Sequence, residues 1–408
     1  MLNKLLAQTN HALAGIALLA GALTFALPGT LRAQAVCQGT ACGSLPITAD
    51  QLGGLAVNLK FQYADLLTRD MADASTAGTL LGLPQGSVKM DGTYVGGIGI
   101  GFGFESTYNV FVFTEYGSLT GIESGGYSLN PKFFGGVNLG RVLGKNDGDR
   151  LGPFEWNRIE VYGSFFNRTI SNGNGAQFNA GDGFVFNEQQ ALQANGTLDL
   201  TQGFTFDATK GVRFSDQNSI ALSAQGVEVR YVALEGGDSL GVSWIEFMGV
   251  SAGVGFYRSS ADLEVIQATS ELEINLGSAG TVVWDSWGLA TYNLSMRSIP
   301  VEVRSGLEFW GFLRLTGAAG ISFNSGTVSL SYIRYGNAFV RDTNLFSFLG
   351  STSDSNLGVV VASDAKIRSN TFYFKPGVEF SFPYFKLTFE GLMSRQSEGF
   401  NLGMRVEI

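Results

Sequence analysis

The stretch FNLGMRVEI, residues 400–408, alternates apolar and polar side chains up to the end of the chain. Its apolar positions are Phe400, Leu402, Met404, Val406 and Ile408, and between them stand Asn401, Gly403, Arg405 and Glu407. A period of two is typical of a β-strand that has one apolar face and one polar face. The sequence therefore predicts that the chain ends in a strand with two chemically different faces.

The same alternation recurs through the rest of the chain. Stripes of this kind lie at residues 55–63, 94–104, 159–165, 227–231, 250–256, 301–309, 372–382 and 385–393. Counting such segments predicts about 14 to 16 strands. After residue 35 there is no apolar run of roughly 18 residues or more, so no transmembrane helix is expected there. Composition shows no domain-scale change after residue 55, and we expect one all-β domain over residues 55–408.

The terminal stripe resembles the closing strand of bacterial outer-membrane β-barrel proteins, in which the last residues are the signal read by the barrel assembly machinery. In that family the final residue is usually aromatic, whereas this chain ends in Ile408. The resemblance implies a single antiparallel transmembrane β-barrel of about 14 to 16 strands with long loops on one side. It also implies a location in the cell outer membrane, with outer-membrane lipids and the barrel assembly machinery as partners. The five apolar residues of the terminal stripe would be the assembly signal.

The chemistry of the bilayer agrees with this resemblance. Hydrocarbon offers no partner to a backbone N–H or C=O group, so a chain that crosses it with strands must close them into a barrel. Aromatic residues near the predicted strand ends are candidates for the interfacial girdles of such a barrel. They are Tyr94, Tyr108, Tyr116, Tyr231, Trp284, Trp310, Tyr373 and Tyr384.

The first 35 residues have the pattern of a targeting segment. Lys4 precedes an apolar run over residues 12–27, and the tripeptide AQA at residues 33–35 offers a small-residue cleavage site. We expect a secretory signal peptide over residues 1–35. The alternative is an uncleaved membrane anchor, because the apolar run approaches a spanning length.

Two cysteines follow the predicted cleavage site, in a short N-terminal segment over residues 36–54. Exported proteins meet an oxidising compartment, so Cys37 and Cys42 are expected to form a local disulfide. The alternative is a lipoprotein in which Cys37 is the acylated N-terminus.

Charge and histidine content exclude several functions. The chain has 26 Lys and Arg against 35 Asp and Glu, so it lacks the basic surface that nucleic acids require. The only histidine, His11, lies in the predicted signal peptide. A mature chain without histidine cannot build the histidine-dependent sites of outer-membrane hydrolases or an imidazole metal site. We therefore expect no enzymatic activity, no cofactor and no metal, with an aspartate-only site as the remaining alternative.

Charged residues recur on the polar faces of the predicted strands. An arginine that faced lipid at mid-depth would cost about 2–4 kcal/mol, so these side chains are expected to face the lumen. The candidate pore-lining residues are Arg158, Glu160, Glu228, Arg230, Glu302, Arg304, Glu308 and Arg314. Either they line an open, water-filled channel or they pair with one another and close a narrow barrel. The sequence leaves both interpretations open.

Two further patterns concern the barrel interior. Glycines alternate with apolar residues from Gly97 to Gly103, and this small face leaves room for an inserted loop or marks a bend in the strand. A short helix is predicted over residues 187–194, within a loop that is a candidate for insertion, and another over residues 65–72.

These patterns favour a porin-like channel for the passive diffusion of small polar solutes, with a homo-oligomer as a possible assembly. The first alternative is a surface-exposed adhesin or binding protein that uses the barrel as an anchor. The second is a transporter of hydrophobic substrates, which shares the barrel pattern and differs mainly in its plug. A third alternative is a soluble secreted β-protein, and the apolar terminal stripe argues against it.

Overall fold

The computed structural model describes residues 33–38, 42, 53–54, 56, 64–81, 87–114, 117–172, 184–186, 204–206, 218–237, 242–275, 281–341 and 355–408. The strands are β1 Ala33–Gln38, β2 Tyr94–Thr114, β3 Gly117–Asn138, β4 Arg150–Leu151, β5 Phe154–Glu155, β6 Ile159–Asn172, β7 Phe184–Phe186, β8 Phe204–Phe206, β9 Asn218–Glu235, β10 Ile245–Asn275, β11 Thr281–Phe309, β12 Leu313–Arg341, β13 Asn356–Lys366, β14 Asn370–Ser381, β15 Lys386–Ser394 and β16 Glu398–Glu407. The helices are α1 Asp65–Leu80 and α2 Leu139–Val142, with a 3-10 turn at Trp156–Arg158. Among the described residues, no helix is long and apolar enough to cross a membrane.

In the described part of the chain, ten strands form a closed antiparallel ring. Hydrogen-bonded neighbours follow the order β14, β12, β11, β10, β9, β6, β3, β2, β16 and β15, and β15 returns to β14. The C-terminal strand closes the ring, because β16 pairs with β2 from Glu398↔Phe104 to Glu407↔Val95. Strand β13 continues the line of β14 along β12, and β1 adds to the other edge of β13. The chain is therefore a β-barrel.

Outward side chains divide the barrel into two zones. We call the end at which Ile408 lies the lower end and the opposite end the upper end. In the lower zone the outward side chains form an apolar belt, as a lipid-facing surface requires. Its exposed members are Ile98, Ile100, Phe133, Phe165, Val227, Val229, Val254, Phe256, Ile299, Val301, Val303, Leu315, Phe323, Phe372, Phe374, Phe380, Phe389, Phe400, Leu402 and Met404, and the half-buried Phe102 belongs to the belt as well.

Above this belt the two faces exchange character. On β11 the outward residues Arg297 and Asn293 are exposed, while the inward Met296 and Leu294 are buried. A polar outer face over an apolar inner face is the pattern of a β-structure in water. Strands β10, β11 and β12 have 31, 29 and 29 residues. Because a tilted membrane strand needs only about 9–11 residues, the barrel extends well beyond the membrane at its upper end.

The number of strands in the ring is smaller than the sequence predicts. The physical reason is the length of β10, β11 and β12, in which a lipid-facing segment and a water-facing segment follow each other without a turn. In the lipid-facing segment the outward side chains are apolar, and in the water-facing segment they are polar. The alternating pattern therefore shifts within one strand, and the sequence analysis counts the two segments as separate strands. The helix predicted over residues 65–72 is present and extends to Leu80. The helix predicted over residues 187–194 lies outside the described residues.

The connections differ between the two ends of the barrel. Tight turns at residues 310–312 and 382–385 lie at the lower end, together with the longer connection that contains α2, β4 and β5. At the upper end β6 ends at Asn172 and β9 begins at Asn218, so the 45 residues that separate them in the sequence make the longest connection between neighbouring ring strands. Short periplasmic turns and long external loops are typical of outer-membrane barrels, which orients the upper end outward.

The N-terminal segment pairs with the upper part of the barrel. Strand β1 pairs with β13 from Ala33↔Val361 to Gln38↔Asn356. A disulfide joins Cys37 to Cys42, with an S–S distance of 2.02 Å. The predicted cleavage position after Ala35 falls within β1, and cleavage of a signal peptide there stays a prediction.

Candidate functional site

The lower lumen contains a network of buried charges. Arg304 donates to Glu302 and Glu390 over 3.1 and 2.5 Å, and Lys375 Nζ lies 2.8 Å from the second carboxylate oxygen of Glu302. The hydroxyl of Tyr373 donates to the same oxygen over 3.1 Å. Arg304 is 2% exposed and Glu390 1%. Opposite charges are therefore matched at hydrogen-bond distance in a space that excludes water.

A second network surrounds Glu379 near the lower end. Arg314 and Arg405 both donate to Glu379 Oε1, over 3.2 and 3.1 Å. Arg314 also lies 2.9 Å from a carboxylate oxygen of Asp91, to which Lys386 donates as well. Buried ion pairs are tolerated where further hydrogen bonds satisfy the remaining donors and acceptors, and here they join four strands of the ring and the segment that precedes β2.

Residues 87–93, which we call the lumenal segment, run through the lower lumen to the start of β2. Arg230 donates to the backbone carbonyl of Ser87 over 3.2 Å. The carboxylate of Glu160 accepts from the backbone N–H of Met90 over 2.6 Å. The strand charges therefore hold a piece of backbone inside the barrel in addition to pairing with one another.

The structure brings six of the eight predicted pore-lining residues into the lumen. These are Glu160, Glu228, Arg230, Glu302, Arg304 and Arg314, which are all buried. Arg158 does not belong to the set. It lies in the 3-10 turn before β6, which begins at Ile159, so the alternation of inward and outward side chains in β6 does not determine where Arg158 points. Its Nε lies 2.8 Å from Glu155 and 3.3 Å from Glu235 at the lower rim. Glu308 is half-buried at the same rim, where it accepts from Arg314.

The sequence analysis did not identify about half of the charged residues in the lumen. The residues that it left out are Asp91, Lys132, Lys375, Glu379, Lys386, Glu390, Arg405 and Glu407. Seven of them could have been found from the sequence, because they occupy the polar positions that alternate with an apolar stripe. Lys375 and Glu379, for example, alternate with the exposed Phe374 and Phe380. Asp91 had no such signal, since it precedes the first strand of the ring.

Helix α1 lies inside the barrel, against β2, β3, β11, β12, β13 and β16. The glycine face of β2 makes room for it: a Cβ added at Gly103 would overlap the carbonyl of Ala74, and one at Gly101 would lie 2.9 Å from the carbonyl of Gly78. On β3, a Cβ at Gly126 would overlap the carbonyl of Asp70. The small face therefore accommodates this helix, whereas the sequence suggested the loop that contains residues 187–194.

Polar and apolar contacts both hold α1 in place. Ser75 Oγ lies 3.2 Å from the hydroxyl of Tyr292, and Thr79 donates to Ser259 over 3.1 Å. The apolar side of the helix joins a buried cluster that consists of Ala72, Tyr292, Leu294, Met296, Val328 and Ile367. The helix thus supplies the core of the upper barrel, where the inward faces of the strands are apolar.

An apolar cavity of about 370 Å³ lies beside α1 in the upper lumen. Inward side chains of five ring strands line it, among them Phe166, Leu222, Leu263 and Leu294, and Met71 of the helix faces them. A volume of several hundred Å³ with mostly apolar walls is typical of a site for a small organic molecule.

The cavity reaches the outer surface because two neighbouring strands separate. Pairing between β3 and β6 ends at Phe133↔Phe165; above this pair β3 continues beside β2 and β6 beside β9. The lining of the cavity includes Tyr127 and Leu129, which point outward from β3 and are 76% and 49% exposed. The cavity therefore opens sideways through the barrel wall, at the upper edge of the apolar belt.

Acidic side chains meet above the apolar belt, beside α1. Burial, followed by the negative charges of Asp73 and Asp70, raises the pKa of Glu105 from its ordinary 4.5 to about 7. Burial also raises the pKa of Asp73, although Arg368 Nε lies 3.0 Å from both of its oxygens. Within the described residues, no group of three His, Cys, Asp or Glu side chains is arranged to hold a metal ion.

The predicted aromatic girdle residues do not all lie where a girdle requires them. Tyr94, Trp310 and Tyr384 are exposed at the lower end, where an interfacial girdle belongs. Trp284 and Tyr373 are buried instead, because their positions have the inward phase of β11 and β14. Tyr231 is half-buried on β9, Tyr108 is in β2, and Tyr116 lies outside the described residues.

Comparison with known proteins gives one family and several distant folds. The sequence pattern of the family described as Lsa36-like matches residues 30–187 and 177–408. None of the curated proteins matches this sequence. Among solved structures, the outer membrane protease OmpT from Escherichia coli is 10% identical with a TM-score of 0.33, over 78% of this chain and 97% of that one. The translocator domain of the autotransporter NalP from Neisseria meningitidis is 8% identical with a TM-score of 0.24, over 79% and 91%.

The surface and the interior of the barrel are both those of a protein that spans a lipid bilayer. A closed antiparallel ring satisfies the backbone within hydrocarbon, the apolar belt faces the lipid, and the charged side chains point into the lumen. The chain is an outer-membrane β-barrel protein.

Proposed function

The chain belongs to the Lsa36-like family, and from the geometry of its lumen we propose that it binds small apolar molecules and exchanges them with the membrane through the barrel wall. The observation that carries this proposal is the cavity of about 370 Å³ beside α1, with its lateral opening between β3 and β6. Unpaired strand edges are costly next to lipid, so an opening at this level has a cost that a function would explain. The proposal includes no catalytic step and no cofactor.

The lower lumen supports this function over a channel for polar solutes. A water-filled channel would leave its charged walls exposed, whereas Arg304, Glu379 and Arg405 are at most 3% exposed. Helix α1 and the lumenal segment fill the axis of the barrel as well. We expect the protein in a planar lipid bilayer to show no steady conductance steps. Regular steps would instead support the porin-like channel predicted from the sequence.

Binding of an apolar fluorescent probe tests the cavity directly. N-phenyl-1-naphthylamine is small enough for the cavity and fluoresces when it leaves water. Ala261 lines the cavity, and Ala261→Phe should fill it and weaken probe binding about tenfold, which corresponds to about 1.4 kcal/mol. Ala252 points outward from the same strand, so Ala252→Phe is the matched control and should leave binding unchanged. Equal affinity in the two variants would contradict the proposal.

The lateral route has its own test. Lipids with brominated acyl chains quench a fluorophore that they contact, so they should quench the bound probe strongly if the cavity opens to the bilayer. A bulkier side chain in the opening, Leu129→Trp, should slow the arrival of the probe from the membrane. An unquenched probe that enters only from water would refute the opening through the wall.

The upper extension favours a second function, the binding of a partner outside the cell. Its outward face is polar and its strands continue well past the apolar belt, as expected of a surface that contacts water and proteins. Bacteria that display the protein would then adhere to immobilised extracellular-matrix proteins more strongly than control cells. Adhesion that Ala261→Phe leaves intact would separate this function from apolar binding.

A further inference from the structure

Two arginines face each other at the upper edge of the apolar belt. Arg258 on β10 and Arg297 on β11 are directly opposed in register, and both are exposed on the outer face of the barrel. Phe256 and Ile299, the next outward residues below them, belong to the belt. The pair therefore lies where lipid tails give way to head groups.

Neither arginine has an acidic partner within the part of the chain that the structure describes. The next outward carboxylate on β10 is Asp262, four residues above Arg258 and thus about 13 Å away along the strand. Like charges that are directly opposite in a sheet destabilise it. The arginines of the lower lumen, such as Arg304, are by contrast matched with carboxylates. An anion from outside the protein would relieve the repulsion between the two guanidinium groups.

The neighbouring strands complete a row of hydrogen-bond donors. Gln225 of β9 is in register with Arg258, and Ser325 of β12 is in register with Arg297. Opposed residues on antiparallel strands have Cα atoms about 4.5–5.5 Å apart, so two guanidinium groups can reach one tetrahedral anion. Guanidinium forks match phosphate oxygens in both geometry and charge.

We propose that Arg258 and Arg297 bind a phosphate group, with Gln225 and Ser325 as flanking donors. The position at the edge of the belt favours the phosphate of a lipid head group, and free phosphate has the same chemistry. This site is separate from the apolar cavity and does not depend on the function proposed above.

The test compares phosphatidic acid with phosphatidylcholine of the same chain length. Native mass spectrometry of the detergent-solubilised protein, purified from the outer membrane, counts the bound lipids during a titration. Removing both guanidinium groups in Arg258→Gln/Arg297→Gln should weaken the binding of phosphatidic acid about tenfold. The control variant Lys145→Gln/Arg150→Gln removes two exposed positive charges from the connection that contains α2, β4 and β5 at the lower end, and it should bind as the wild type does.

Competition identifies the source of the phosphate. If millimolar inorganic phosphate leaves phosphatidic acid bound to the wild type, the ligand is a lipid; if it displaces the lipid, the site accepts free phosphate too. Either result supports a phosphate site. Equal binding by the double glutamine variant and the wild type would overturn the proposal, as would an equal loss of binding in the control variant.

Thermal unfolding separates a binding site from a structural role. In micelles without anionic lipid, Arg258→Gln/Arg297→Gln should be at least as stable as the wild type, because the repulsion between like charges is removed. Phosphatidic acid should raise the unfolding temperature of the wild type and not that of this variant. A double variant that is less stable without anionic lipid would show that the arginines have partners within the protein, and the proposal would fail.

Discussion

Individual charged side chains keep the lower lumen closed, because each is held by partners from other strands or from the lumenal segment. Glu302 accepts from Arg304, Lys375 and Tyr373, which stand on two different strands. Removing one member leaves the others as charges without water or a partner, and this is where buried ion pairs are most sensitive. Stability at this scale therefore depends on complete networks more than on any one pair.

Arg304→Ala tests the network at its centre. The variant leaves Glu302 and Glu390 buried with one positive partner fewer, and we expect it to lose about 3–5 kcal/mol of unfolding free energy. Urea unfolding followed by the heat-modifiable shift in gel migration measures the loss. Arg150→Ala, at a side chain that is 64% exposed, is the control and should change stability little. A loss of the same small size in both variants would contradict a closed, interdependent lumen.

Glu105 predicts a pH dependence of stability above the apolar belt. Its pKa is about 7 in the folded barrel against an ordinary 4.5, so the protonated form contributes stability that is fully present below about pH 4.5 and is lost as the pH rises through 7. Glu105→Gln should therefore raise the unfolding temperature at pH 8 and change it little at pH 4.5. Asp262→Asn removes one exposed carboxylate and controls for the loss of a charge. An equal effect of Glu105→Gln at both pH values would refute the shifted pKa.

At the scale of elements, the barrel wall and α1 are shaped for each other. Strand β2 presents glycines where the helix backbone approaches, and the helix presents small residues such as Ala74, Ala77 and Gly78. Side chains on either side would keep the backbones apart, so the small residues set how closely the helix lies against the wall. The cavity begins where this close packing ends, on the side of the helix that carries Met71.

Gly103→Val should displace α1 from the lumen, because a Cβ at this position overlaps the carbonyl of Ala74. A cysteine placed at the buried Thr79 reports the displacement, since maleimide labels only an accessible thiol. We expect labelling to become at least about tenfold faster in the valine variant. Gly96→Val adds the same side chain to the same strand at a position with open space, and it should leave labelling slow. Slow labelling in both variants would contradict the packing of the helix against β2.

At the scale of the whole molecule, the chain threads through its own barrel. Strand β1 pairs near the upper end, α1 lies inside the upper lumen, and the lumenal segment reaches the lower end, where β2 begins. The N-terminal segment is therefore on the side of the extended strands and long loops. The protein presents both this segment and the upper extension on the same side of the membrane.

Epitope insertion tests this topology. A tag after Thr48, between β1 and α1 in the sequence, should bind antibody on intact cells, because β1 pairs with β13 in the upper part of the barrel and Asp65 at the start of α1 accepts from Ser363 of the same strand. A tag after Pro383, in a tight turn at the lower end, should bind only after the outer membrane is permeabilised. Accessibility of the second tag alone on intact cells would reverse the orientation.

The sequence alone determined the features that depend on local periodicity. Alternation with a period of two identified the strands and the inward phase of residues such as Glu302 and Arg304, because a side chain's face follows from its parity within a strand. The two nearby cysteines after the predicted export signal pointed to the Cys37–Cys42 disulfide, and the helix predicted over residues 65–72 is the first part of α1. Only the tertiary structure decided which strands are continuous, which charges meet, that α1 fills the glycine face, and that β3 and β6 separate around a cavity. These features depend on strand register and on contacts between distant parts of the chain, and the same alternating pattern is compatible with many such arrangements.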